Sequence, residues 1–169
     1  LSQIMIEMPQ ETFVRLNNES EFNLPQKWRQ KDEKINSLSL DLGSHLFHLI
    51  DIITSGKKVE KIIATKNNFG KVIGITDNIN LIAKTEDEII INGWFSKISL
   101  GNRNGLKIRV YGSKGSAEWE QMNPEILKLV DEKGSIQLLD RSSPNIIESN
   151  KIHYQRFKPG HPAGFVEAY

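Results

Sequence analysis

The chain has 169 residues, 38% hydrophobic and 25% charged, with 12 Gly and 6 Pro, a composition that excludes collagen-like and broadly disordered chains and suits one sizeable folded domain. Twenty-two Lys and Arg against 21 Asp and Glu leave a net charge of +1, so no overall field favours nucleic acid, an anionic membrane or a strongly charged substrate, and binding has to come from local chemistry. Cysteine is absent, which removes disulfides, thiolate metal sites, iron–sulfur ligation and thiol catalysis.

No apolar run approaches the roughly 18 residues of a membrane span, and the first residues lack the basic, apolar, small-residue order of a secretory signal. The expectation is a soluble, cytoplasmic protein with no membrane or nucleic-acid partner. In chain order, Ile4, Ile6 and Met8 alternate with Met5 and Glu7 in the period of a strand that Pro9 closes. Glu11 to Lys34 is polar and interrupted, which predicts a long loop carrying the isolated pair Trp28-Arg29. An arginine there can fork onto hydroxyls or carboxylates and an indole can cover a sugar face, although a plain loop anchor would look the same.

From a cap at Asn36 or Ser37 the spacing predicts one long helix over Leu38 to Ser55, ended by Gly56. Leu42, Leu46, Leu49 and Ile53 form its apolar stripe, while Asp41, Ser44, His45, His48 and Asp51 gather opposite. Burying the stripe contributes roughly 1.5–3 kcal/mol per side chain, enough to hold the helix on a sheet. Asp41 and His45 stand at i and i+4, where a carboxylate can orient an imidazole for proton transfer, or where both can simply be solvated. Adding His48 gives three potential ligands for zinc, but confined to one helix and without a His-Glu-x-x-His pattern, so no metal is assigned.

The remainder reads as strands: Val59 to Lys66, Val72 to Ile75 running on through Ile79 to Lys84, and Glu88 to Leu100. Arg103-Asn104 between two glycines reads as a polar hairpin turn. A hairpin follows around Gly112-Ser113-Lys114-Gly115, and a second around Asp131-Glu132-Lys133-Gly134 between Ile126 to Val130 and Ile136 to Leu139. Short turns imply antiparallel pairing. One helix followed by many strands predicts an α+β domain: a large, mostly antiparallel open sheet with the long helix and shorter helices on one face. No Gly-x-Gly-x-x-Gly follows a strand, so a dinucleotide-binding half is not expected within the chain. Gly160-His161-Pro162 puts His161 at a predicted helix N-terminus, where it can face a ligand or act as a plain cap. The chain opens at Leu1 and stops at Tyr169 inside this helical run, as expected of a piece cut from a longer protein.

Leu40-Asp41-Leu42-Gly43-Ser44-His45-Leu46 with Asp51 resembles the Asp-x-x-x-His helix of the glucose–fructose oxidoreductase and inositol dehydrogenase (Gfo/Idh/MocA) family. Trp28-Arg29 resembles the Trp-Arg preceding that helix, Val110 to Ala117 its strand–Gly-x-x-Gly–strand hairpin, and Gly160 to Phe165 its Gly-His-Pro-x-Gly-Phe segment. The resemblance implies that residues 1–169 are a single C-terminal substrate-binding and oligomerisation domain, whose N-terminal Rossmann partner binds NAD or NADP and is missing from this chain. It implies a sugar or polyol-like substrate, His45 as proton acceptor or donor, Asp41 as its orienting partner, and Arg29, Trp28, His48 and His161 as substrate contacts. It also implies a homo-oligomer, a dimer through the open sheet, and a fragment that binds no nucleotide and is inactive alone. The alternative is a non-enzymatic carbohydrate-binding or dimer-assembly module. An enzyme domain brings Asp41, His45 and Arg29 into one cleft; an assembly module has no need to.

Overall fold

A computed structural model describes residues 1–22, 24–146 and 159–161 of the chain. Its strands are β1 (Gln3–Pro9), β2 (Val59–Asn67), β3 (Asn78–Thr85), β4 (Ile90–Ser96), β5 (Lys107–Gly112), β6 (Gly115–Glu120), β7 (Leu127–Asp131) and β8 (Ile136–Leu139). Among the described residues these make one sheet in the order β2-β3-β4-β1-β5-β6-β7-β8. It is mostly antiparallel, as the short turns imply, with one correction: β1 and β4 run parallel, from Gln3 beside Ile90 to Pro9 beside Ser96. Parallel neighbours cannot be joined by a tight turn. The chain passes through the loop, the helix and the β2-β3 hairpin before β4 comes to lie beside β1.

The helix packs on one face of the sheet. Asn36 caps it, its Oδ1 accepting the Ser39 N–H at 2.7 Å, which satisfies one of the orphan donors of the first turn. Asp32 ties the entry down further, with Oδ1 accepting the Ser37 N–H at 2.9 Å and Oδ2 the Thr76 N–H at 2.7 Å. The helix opens with a π-helical turn over Ser39–Gly43 and continues as α1 (Ser44–Ile53). Its C-terminal end comes where Gly56 predicts it, with the Gly56 N–H donating to the Asp51 carbonyl at 2.8 Å. The shorter helices expected beside it are represented among the described residues by a single 3-10 turn, Lys27–Arg29, in the long loop.

Leu38, Leu42, Leu46 and Ile50 are buried, and Leu49 and Ile53 pack half-buried against them. Opposite lie Ile4, Ile6 and Met8 of β1, Leu81 and Ala83 of β3, and Ile91 and Phe95 of β4. Alternate residues on the strands face away. Ile63 and Ile82, cross-strand neighbours on β2 and β3, are exposed on that other face.

Two strand boundaries differ from expectation. Val72 to Ile75 is not strand: Gly74 sits at φ +86°, and the buried Asp77 carboxylate takes the N–H groups of Phe69 and Gly70 at 2.9 and 2.7 Å. A side chain that collects these donors holds the chain in a loop. The Arg103-Asn104 segment is not a hairpin turn either, because β1 lies between β4 and β5 and the loop must cross its end. Both expected hairpins form, β5-β6 and β7-β8. In the first, Gly115 has φ +143°, and a Cβ there would overlap the Val130 carbonyl oxygen. Gly115→Ala is expected to cost about 1–3 kcal/mol in strain; urea unfolding with an unshifted midpoint would contradict this.

Candidate active site

The parallel pairing of β1 and β4 brings their C-terminal ends out together. Gln10 follows β1 and Lys97 follows β4, and backbone bonds lock the two exits: the Gln10 N–H donates to the Ser96 carbonyl at 2.7 Å, the Phe13 N–H to Lys97 at 2.8 Å, and the Ser99 N–H to Gln10 at 2.9 Å. The β4-β5 loop crosses over this point, with the Gly105 N–H on the Pro9 carbonyl at 3.0 Å. The first turns of the helix close the space from above. The result is a cavity of about 400 Å³ lined by Gln10, Thr12, Arg29, Asp41, His45, Lys97, Asn104 and Gln121 on an apolar floor of Met8, Leu42 and Leu106.

Asp41 is the hub of its charges. Arg29 grips it as a fork, Nε to Oδ2 at 2.8 Å and Nη2 to Oδ1 at 2.9 Å, the bidentate geometry that makes arginine–carboxylate pairs strong. Lys97 Nζ reaches the same Oδ2 at 2.8 Å and Gln10 Oε1 at 2.6 Å. Gln10 in turn donates through Nε2 to Asn104 Oδ1 at 3.1 Å. Burial works against ionisation of Asp41, but hydrogen bonds from Arg29 and Lys97 and their charges outweigh it and hold the carboxyl below its usual range. Lys97 has only 6% of its side chain exposed; there burial outweighs the attraction of Asp41, and its ammonium is also pushed down. Lys97 therefore has Asp41 as its counter-charge, while Asp41 is held ionised by Arg29 and Lys97 together.

Of the residues singled out from the sequence, Arg29, Asp41 and His45 line this one cavity. The i, i+4 arrangement does not pair the imidazole with the carboxylate: both Asp41 oxygens go to Arg29 and Lys97, and among the described residues no hydrogen bond joins His45 to Asp41. The cause is competition, since two cations offer the carboxylate charge-assisted bonds. Trp28 lies outside the cavity, with the Arg29 guanidinium 4.4 Å from its ring centroid. Its Nε1 and Arg29 Nη1 share Gln26 Oε1 as acceptor, at 3.0 and 2.8 Å, so it helps to set the pose of Arg29. His48 is exposed one turn beyond His45 and His161 is exposed in a turn; neither is among the lining residues. The predicted helix after Pro162 lies outside the described residues. Among those residues, no group of three or more His, Asp or Glu is arranged to hold a metal.

Lys97, Gln10, Asn104 and Gln121 were not legible as site residues. Lys97 carried the clearest signal, a lone lysine in the apolar run Trp94-Phe95-Ser96-Lys97-Ile98, since a lysine seldom sits buried without a counter-charge. Gln121, which lines the cavity, has a buried Oε1 with no hydrogen-bond partner among the described residues, an acceptor whose capacity is unspent. The site thus combines a solvent-reaching imidazole, a buried ammonium and unspent amide groups, which suits binding and proton transfer on a small hydroxylated molecule.

Comparison with known proteins agrees with this architecture. The chain is 26% identical over 161 residues to an uncharacterized oxidoreductase of Bacillus subtilis strain 168, YfiI, spanning 93% of this chain and 40% of that protein. It is 28% identical over 112 residues to glucose-6-phosphate 3-dehydrogenase of the same organism, spanning 62% of this chain and 32% of that protein. The chain thus covers well under half the length of either relative. Its fold superposes with a TM-score of 0.78, at 22% identity, on an inositol dehydrogenase homolog from Azotobacter vinelandii crystallised with NADH and myo-inositol, covering 99% of this chain and 42% of that one. Residues 11–118 match the model of the GFO/IDH/MocA C-terminal domain, and the chain belongs to that family.

Proposed function

We propose that residues 1–169 are the C-terminal substrate-binding domain of an NAD(P)-dependent oxidoreductase acting on a sugar or polyol-like alcohol. The observation that carries this reading is the convergence of Arg29 from the loop with Asp41 and His45 from the helix on one cavity around a buried lysine. The relatives' names support the chemistry: one is a sugar-phosphate dehydrogenase and one structure holds NADH and myo-inositol.

NAD or NADP supplies the hydride acceptor. The described residues contain no glycine-rich turn opening a helix after a strand, the seat that a dinucleotide needs, so the reading assigns the nucleotide to a Rossmann domain outside this chain. This chain's residues handle the substrate. Its C–H electron pair leaves as hydride, its O–H proton passes to the His45 imidazole, and a carbonyl forms. Exposure of His45 lets that proton pass on to water. Lys97 offers its positive charge to the oxygen as negative charge develops there, while Arg29 and the Gln121 acceptor orient neighbouring hydroxyls. Asp41 fixes Arg29 and Lys97, and through them the shape of the site. Sheet-mediated dimerisation belongs to the same reading, with exposed Ile63 and Ile82 on the face away from the helix as its contact.

The test is nucleotide reduction by the full-length protein on a panel of hexoses, inositols and linear polyols. Substrate-dependent formation of NADH or NADPH is expected with at least one of them. Tight sugar binding without reduction of either nucleotide would instead identify a carbohydrate-binding module.

A further inference from the structure

Beside the cavity just described lies a second, of about 380 Å³, that shares Thr12, Arg29 and Lys97 with it. Four of its lining residues are cationic: Arg15, Arg29, Lys97 and Arg103. Two carboxylates answer them. Glu11 bonds Arg15 at 3.1 Å and the Gly101 N–H at 3.0 Å, and Asp41 serves Arg29 and Lys97 together. Four positive charges against two negative leave two uncompensated, and no ion pair among the described residues takes Arg103. In a chain with a net charge of only +1, this is a local concentration and not a reflection of overall composition.

Arg103 and Arg15 are both exposed, and the charge of Arg103 also acts on the Glu11 carboxylate. Arg103 stands on the loop that crosses the β1 and β4 ends, at the wall of a hollow that shares Thr12, Arg29 and Lys97 with the cavity of His45. A guanidinium presents a planar fork of donors matched to the paired oxygens of phosphate or carboxylate. Arg15 and Arg29 face the same space, and Leu24 and Pro25 complete the wall with apolar surface.

We infer that the substrate carries an anionic substituent, a phosphate or a carboxylate, seated among Arg103, Arg15 and Arg29 while its reacting hydroxyl lies by His45. The inference rests on the dehydrogenase reading for what happens at His45, but the anion seat stands on the charges alone. Binding to the full-length protein is measured calorimetrically for matched probes: a hexose, its 6-phosphate and the corresponding hexuronate. At least one anionic probe is expected to bind about tenfold or more tightly than the neutral hexose, the worth of one charge-assisted bond of roughly 1.5–3 kcal/mol. Arg103→Gln is expected to remove most of that advantage and leave neutral hexose binding unchanged, with Arg103→Lys restoring part of it. Preference between the 6-phosphate and the hexuronate identifies the group.

Equal binding of charged and neutral probes, absence of binding by both anions, or equal weakening of all probes by Arg103→Gln would overturn the inference. Nucleotide reduction is followed in parallel. Turnover of neutral sugars alone sinks the anion seat and leaves the dehydrogenase; Arg103-dependent anion binding without nucleotide reduction does the reverse.

Discussion

Asp41→Ala is expected to destabilise the fold by about 3–5 kcal/mol, the usual cost of removing one partner from a buried ion pair. The loss strands Lys97, 6% exposed, with Gln10 Oε1 as its remaining hydrogen-bond partner among the described residues, and releases the Arg29 fork. The pH dependence follows from the two groups. In the native protein the depressed Asp41 carboxyl contributes stability that is complete above the ordinary aspartate value of about 3.9 and is lost as pH falls through its lower folded value. In the variant, an ammonium buried without its carboxylate favours its neutral form. Its cost is full at low pH and disappears as pH rises toward the ordinary lysine value of about 10.4. Urea unfolding of Asp41→Ala should therefore show a large deficit at pH 6 that narrows at pH 10. A pH-independent deficit below about 1 kcal/mol, the range of solvent-exposed pairs, would show that the pair contributes little.

Much of this fold was legible in the residues, for identifiable reasons. The β5-β6 and β7-β8 hairpins announce themselves through local turn chemistry, and the helix through its Asn36 cap and its leucine stripe. Such signals act over a few residues, so the sequence carries them openly. The parallel β1-β4 pair is a contact between segments more than 80 residues apart, and no local pattern encodes it. The misreading of Arg103-Asn104 has the same origin: a polar, glycine-flanked segment looks like a hairpin turn until the strand it must cross is known. In the site, Asp41 and His45 could be found from helical spacing, and Arg29 from its isolated place in the loop. Their partnership could not. Spacing placed the carboxylate beside the imidazole, whereas the competing cations, Arg29 and Lys97, come from 12 residues before it and 56 after it. The π-helical opening of the helix was equally hidden, since it breaks the 100° periodicity on which that reading relied.

His45→Ala is the change expected to have the largest effect on activity. A positioned general base contributes about 10²–10⁴ to rate, and no other histidine is among the described residues that line the cavity. Removing the imidazole leaves Lys97, Arg29 and the amides to bind the substrate, so sugar affinity should change far less than turnover. Nucleotide affinity should be unchanged, because the dinucleotide is assigned to another part of the whole protein. The decisive measurement is the turnover number of full-length His45→Ala beside its NAD(P) dissociation constant. A fall of about 10²–10⁴ in the first with the second unmoved is the expected result; an unaltered turnover number would remove His45 from the chemistry and with it the case for this cavity as the active site.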